Sequence, residues 1–226
     1  MLQILIPTKD RPESFKRAIK SIPKNIPYLI LDNNKEQTYT KEYKNTIHAP
    51  EASINEVYQI LINNAQEPFV YFLEDDDKFL PCFQRILSNL RAHKMSVLFD
   101  SFDLNLDSKI RSFSDVCKPG INEITHVNHF NIPNFIFELD KIKDLDFDIP
   151  FHIDNDLYLF YWQILKDPEI FYNPAKCVLV NGQNNLTSQE KLKEPQEPQF
   201  FEILLKNFPD KRHEIAVFRR HFHLWK

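Results

Sequence analysis

Four carboxylates stand side by side at Glu74-Asp75-Asp76-Asp77, directly after the apolar run Phe69–Leu73. Adjacent acids repel one another, and water or a cation has to offset the repulsion. Mg2+ and Mn2+ favour carboxylate and phosphate oxygens, so an acidic run at the end of a strand suits an ion that neutralises a diphosphate. In isolation such a run also reads as a solvated acidic turn. Its company favours a site: Asp10 and Asp32 follow two other short apolar runs, Gln3–Pro7 and Pro27–Leu31.

The elements that must position these acids alternate. Strands are expected over Gln3–Pro7, Pro27–Leu31, Phe69–Leu73 and Ser96–Phe99, and helices over Glu13–Ser21, Ile54–Ala65 and Pro81–His93. Pro12 opens the first helix, and Ser53 with Glu56 three residues on has the form of a capping box. This order predicts α/β layers around a mostly parallel sheet, with ligands at the carboxyl ends of the strands. Beyond residue 100 the pattern loosens, and 103–130 reads as antiparallel strands or loops. Asp156–Leu165 reads as a helix, Phe171–Val180 as a strand, Lys191–Pro198 as a linker, and Phe200–Phe208 and Lys211–Trp225 as terminal helices.

Composition removes several functions. The 226 residues contain two glycines, Gly120 and Gly182. Dinucleotide-binding, Walker A and kinase phosphate loops all need clustered glycines, so any nucleotide phosphate must be met by side chains or a metal. A net charge of −4 argues against nucleic acid as a partner. Three distant cysteines give neither zinc spacing nor a disulfide framework, which fits a reducing cytoplasm. No run approaches the length of a membrane helix, and the N-terminal residues lack the pattern of a signal peptide.

Several segments, in order, resemble family 2 glycosyltransferases with the GT-A fold. Ile4-Leu-Ile-Pro-Thr-Lys-Asp-Arg-Pro-Glu13 is similar to their opening strand and loop, and Tyr28-Leu-Ile-Leu-Asp-Asn33 to their second strand. Asn55, ahead of Asn63-Asn-Ala-Gln66, resembles the helix before the signature strand. Phe69-Val-Tyr-Phe-Leu-Glu-Asp-Asp-Asp77, with Pro81 following, resembles that strand and its Asp-x-Asp motif. Phe147-Asp148 and Asp154-Asn-Asp-Leu-Tyr158 resemble the acceptor-side segment that ends in the catalytic carboxylate. Glu74 stands at the first acidic position, Ile153 where the family often has glutamate, and Asn181–Thr187 lacks the family's frequent histidine.

The resemblance implies a GT-A-like catalytic domain over 1–190, its donor half in 1–100 and acceptor half in 101–190, with a linker and helices over 191–226. It implies inverting transfer of a sugar from a nucleotide-sugar donor, UDP-sugar foremost, to a glycan or lipid-linked acceptor in bacterial-type surface polysaccharide or lipopolysaccharide synthesis. Mn2+ or Mg2+ would rest on Asp76, helped by Asp77 or Asp75. Pro7, Thr8, Asp10, Arg11, Asp32, Asn55, Glu74 and Asp75 would line the donor nucleotide. Asp154 fits the base that deprotonates the acceptor, and Asp156, two residues away, is its rival.

Two other classes compete. A haloacid-dehalogenase-like phosphatase also places Asp-x-Asp after a strand, but here Phe79 stands where a Thr or Val is wanted and no second aspartate follows Asp10 at position 12. A non-catalytic glycan-binding or assembly protein on the same fold is the other. His126 and His129, with no third ligand nearby, read as loop or core histidines, and His152 as structural before functional. Tyr158, Tyr161 and Trp162 could stack on sugar, though helical spacing places at least one in a core.

The segment 211–226 carries five Lys or Arg against one Glu. Ile215, Phe218, Phe222 and Trp225 fall on one face of a helix. Such a stripe either packs on the domain or a second subunit of a homodimer, or lies peripherally on the inner face of an anionic membrane.

Overall fold

Along the central strands, alternate side chains serve two different cores. The computed structural model describes residues 1–103, 110–111, 114, 117–124, 134–145, 147, 155–181 and 197–223. Strand β1 (Leu2–Thr8) lies between β2 (Tyr28–Asp32) and β4 (Phe69–Phe72), parallel to both, and β3 (Thr46–His48) extends the sheet beside β2. Leu5, Leu29, Leu31, Val70 and Phe72 enter one core, while Ile4, Ile6, Ile30 and Tyr71 enter the other. That period of two, with both faces apolar, is what a parallel sheet covered by helices requires.

Helices α1 (Pro12–Ser21) and α3 (Phe83–His93) cover one face through Phe15, Ala18, Phe83, Ile86 and Leu90. Helix α2 (Ile54–Asn64) covers the other, and its start is fixed by the expected reciprocal bonds between Ser53 and Glu56. The second half continues the sheet through β5 (Lys78–Phe79), β6 (Val97–Asp103), β7 (Ile110–Arg111), β8 (Gly120–Glu123), β9 (Phe135–Glu138) and β10 (Glu169–Val180). The strand order is β3-β2-β1-β4-β9-β6-β10-β5, with β7 on β6 and β8 on β10. β4 is therefore internal, as a strand carrying the acidic run must be if its loop is to face the loops of β1 and β2.

The sequence gives no clear sign of β9. It is a four-residue strand, three apolar residues and Glu138, that pairs antiparallel with both β4 and β6 and joins the two halves of the sheet. β3, β5 and the short helix α4 (Leu139–Ile142) were not expected either. β7 and β8 confirm antiparallel strands in the loosely patterned stretch.

Helix α5 (Asn155–Lys166) is followed, after β10, by α6 (Glu197–Asn207), a 3-10 turn and α7 (Arg212–His223). Tyr158, Tyr161 and Trp162 are all buried, so the sugar-stacking alternative gives way to packing for all three. Phe218 stacks on Tyr161 at 4.6 Å, and Trp162 meets Phe208 edge-on at 4.9 Å. Ile215 and Phe218 belong to the same core as Val70 and Phe72. The centre of the C-terminal apolar stripe thus packs on the chain itself and is not available to a membrane surface. Arg212, Arg219 and Arg220 lie on the exposed side. Among the described residues, no helix is long and apolar enough to cross a membrane.

This packing has a measurable consequence. Phe218→Ala is expected to lower stability by about 3–5 kcal/mol, the range for emptying a buried aromatic site. A chemical-denaturation midpoint equal to that of the wild type would contradict the packing role.

Candidate functional site

Because β1, β2 and β4 are parallel, the loops leaving their carboxyl ends share one sheet edge. The loop after β1 turns at Asp10, whose φ of +56° is left-handed. Aspartate tolerates this region better than most residues, and the Asp10 amide is held there by a 2.6 Å bond to Asn34 Oδ1. The turn starts α1 and carries Arg11 toward the acids after β4.

Arg11 Nη1 lies 3.1 Å from Asp75 Oδ1 and 3.1 Å from Asp76 Oδ2. Its contact with Asp75 is a hydrogen bond, whereas that with Asp76 is an ion pair without hydrogen-bond geometry. Asp75 also accepts from Thr8 Oγ1 at 2.9 Å and from the Lys9 amide at 3.3 Å. Burial raises the carboxyl of Asp75 despite Arg11 and these donors. Burial, with the Asp75 charge adding to it and Arg11 opposing, pushes Asp76 up to about 6. Burial alone would lower the Arg11 guanidinium, but the charges of Asp75 and Asp76 outweigh it and raise it.

Asp32 stands at the end of β2 as expected, yet it is fully buried. One carboxylate oxygen accepts from Asn34 N at 2.8 Å and from Asn34 Nδ2 at 2.5 Å, and the other from Thr40 Oγ1. In this structure it shapes the loop instead of presenting oxygens to the crevice. Asn34 Nδ2 also donates to the Tyr39 hydroxyl at 2.9 Å, which lies 3.0 Å from Thr8 Oγ1 and accepts from the Arg11 amide at 3.4 Å. A continuous chain therefore runs from Asp32 through Asn34, Tyr39 and Thr8 to Asp75, Arg11 and Asp76. Asn34, Tyr39 and Thr40 lie in a polar stretch without periodicity, which gives no sign of these contacts. His48, whose Nε2 is 2.8 Å from the Asn34 carbonyl, is a further neighbour.

The remaining acids have other contacts. Glu74 accepts from the Tyr58 hydroxyl at 3.2 Å. Asp77 is buried, and its Oδ1 accepts from the Asn181 amide at 2.9 Å, tying the acidic turn to the end of β10. Pro7 pairs in register with Leu31 inside the sheet, and Asn55 is buried in the first turn of α2. Asp154 lies outside the described residues, as do His126, His129, Asp148, His152 and Ile153. Asp156 is in the first turn of α5, and its side chain is outside them too.

Among the described residues, no three His, Cys, Asp or Glu side chains gather into a self-sufficient metal site. Asp76 Oδ2 is nonetheless a buried carboxylate oxygen with no hydrogen-bond donor. Mg2+-type ions are commonly held by one or two carboxylates together with substrate phosphates. These residues thus fit an ion that arrives with a diphosphate, and among the described residues none gather to hold one by protein alone.

No known family matches the sequence, and no curated protein is similar to it. Solved structures are similar in fold. S. aureus TarS residues 1–349 superpose with a TM-score of 0.69 at 12% identity, over 97% of this chain and 71% of that one. The same TarS fragment in complex with UDP-GlcNAc gives 0.68 at 14%, over 89% and 64%, and in complex with UDP 0.66 at 16%, over 90% and 65%. The chain thus spans slightly under two thirds of the two TarS complexes. What is shared at this identity is the fold alone, the GT-A-like arrangement of a mostly parallel sheet flanked by helices.

Proposed function

We propose that the protein is a glycosyltransferase that moves a sugar from a nucleotide-sugar donor, a UDP-sugar foremost, to a hydroxyl of a glycan or lipid-linked acceptor with inversion, in the building of a bacterial-type surface polysaccharide. One observation carries this reading. The three carboxyl-end loops of β1, β2 and β4 are joined by one chain of hydrogen bonds that ends at Asp75 and Arg11, and an ion pair from Arg11 adds Asp76, on a fold shared with TarS, whose structures hold UDP-GlcNAc and UDP.

In this reading the β1 and β2 loops bind the nucleoside, with Asp10 and Asn34 at its rim and Asp32 holding their shape. Arg11 meets the diphosphate, since a guanidinium fork matches phosphate oxygens. Asp76, with Asp75 or Asp77, holds Mn2+ or Mg2+. When bound, the ion supplies counter-charge to the departing diphosphate. Glu74, steadied by Tyr58, accepts hydrogen bonds from ribose or sugar hydroxyls. Asp154, or its rival Asp156, takes the proton of the attacking hydroxyl.

A thermal-shift series with UDP-, GDP- and CDP-sugars, each with and without Mn2+, tests the reading. A bound donor raises apparent stability by mass action. A rise confined to uridine nucleotides and enlarged by Mn2+ is expected, and no rise with any nucleotide would contradict it.

Tyr39 gives a finer test. Tyr39→Phe keeps the ring that packs 5.5 Å from Phe15 but removes the hydroxyl that joins the two loops. UDP binding measured by calorimetry is expected to weaken about tenfold, equal to about 1.4 kcal/mol. Unchanged affinity would mean that the hydroxyl does not position the donor site.

A further inference from the structure

Arg11 touches Asp75 and Asp76, two of the three acids that the proposed function assigns to an ion. Its guanidinium is 3.1 Å from each, and the two carboxylate side chains are only 6% exposed. A fixed positive charge at that distance does for the acids what a divalent ion would do. The two cations repel each other, and the repulsion is strong where water is scarce. An ion cannot settle fully on Asp76 while the guanidinium remains there.

A diphosphate changes the balance, because it offers Arg11 another anionic partner. Arg11 has the reach for the exchange. It is the residue just before α1, it follows the left-handed turn at Asp10, and its side chain keeps 27% exposure against 6% for each acid, so it is the group of the three most open to an incoming anion. Asp75 has other donors, Thr8 Oγ1 and the Lys9 amide, that remain if the guanidinium leaves. Asp76 Oδ2 has no such donor, and so it is the atom that a departing guanidinium leaves to a new cation. Arg17 also acts on Asp76 through its charge, but more weakly than Arg11.

Building on the function proposed above, we propose that Arg11 is an exchangeable internal cation: it holds Asp75 and Asp76 while the donor is absent and passes to the diphosphate when the donor binds, so that a divalent ion enters only together with the nucleotide. Metal and nucleotide then bind as a coupled pair. By linkage each raises the affinity of the other by the same factor, ordinarily about 5- to 150-fold.

The experiment measures Mn2+ binding by the spin-resonance signal of the free ion, with and without saturating UDP, for the full chain and for Arg11→Gln and Arg11→Lys. UDP binding is measured separately by calorimetry. The wild type is expected to bind Mn2+ weakly alone and more tightly with UDP, by a factor in the range above. Arg11→Gln is expected to bind Mn2+ alone at least about 5-fold more tightly than the wild type, the low end of that range, with the enhancement by UDP reduced by the same factor. Arg11→Lys, which keeps the charge, stays close to the wild type. If UDP binds and Arg11→Gln takes up Mn2+ alone no better than the wild type, the exchange is wrong while the donor reading stands. The exchange is equally wrong if UDP binds and Mn2+ binds to no form. If UDP binds to none of the three proteins, the functional reading itself falls.

Discussion

Asp154→Asn is expected to leave nucleotide binding near its wild-type strength and to lower sugar transfer by about 10²–10⁴-fold, the usual contribution of a general base. Asparagine keeps the size of the side chain and cannot take the acceptor's proton. The proposed donor loops lie within the first 77 residues and the role proposed for Asp154 is on the acceptor side, so the substitution separates binding from transfer. Asp156→Asn is the paired control, because Asp156 opens α5 two residues on. If Asp156→Asn gives the loss and Asp154→Asn does not, the base is Asp156. Full transfer in both variants would remove this pair from the chemistry.

Asp76→Asn produces the opposite pattern. Binding of UDP with Mn2+ is expected to weaken by about 30-fold or more, which corresponds to the roughly 2 kcal/mol or more lost when one partner of a buried charge pair is truncated. The fold should not suffer. Burial holds the Asp76 carboxyl at about 6, above its ordinary 3.8, so folding favours the protonated form. The charged form therefore counts against the folded state. Relative to the wild type without ion, the variant gains nothing below about pH 4, gains increasingly between there and the folded value, and keeps a constant gain above it. Denaturation midpoints at pH 4 and pH 8, read beside UDP calorimetry, check both halves. A variant that binds UDP and Mn2+ as tightly as the wild type would remove Asp76 from the site.

How much of this could be read beforehand depended on the range of the interaction. The strands over 2–8, 28–32 and 69–72 were visible because each is a short apolar run closed by acids or turn residues. The start of α2 was visible because its capping box spans four residues. The acids were legible as a site from their repeated place after strands. The partner that neutralises two of them was not, because Arg11 reaches them across more than sixty residues of sequence. Tyr39 was missed for the same reason: its bond to Thr8 spans 31 positions, and nothing periodic marks it. β9 shows the limit for the fold. Phe-Ile-Phe-Glu is too short to declare its type, and its position between β4 and β6 is fixed only by pairing with them. The C-terminal stripe was legible as a stripe, while the surface covering it was settled by Tyr161 and the core it joins.

The network from Asp32 to Asp76 is expected to bind a nucleoside diphosphate. A crystal structure of the protein with UDP and Mn2+ tests it most directly. Uridine is expected against the 32–34 loop, the diphosphate within hydrogen-bond reach of Arg11, and the ion on Asp76. UDP found away from the carboxyl ends of β1, β2 and β4, or a diphosphate out of reach of both Arg11 and Asp76, would contradict it.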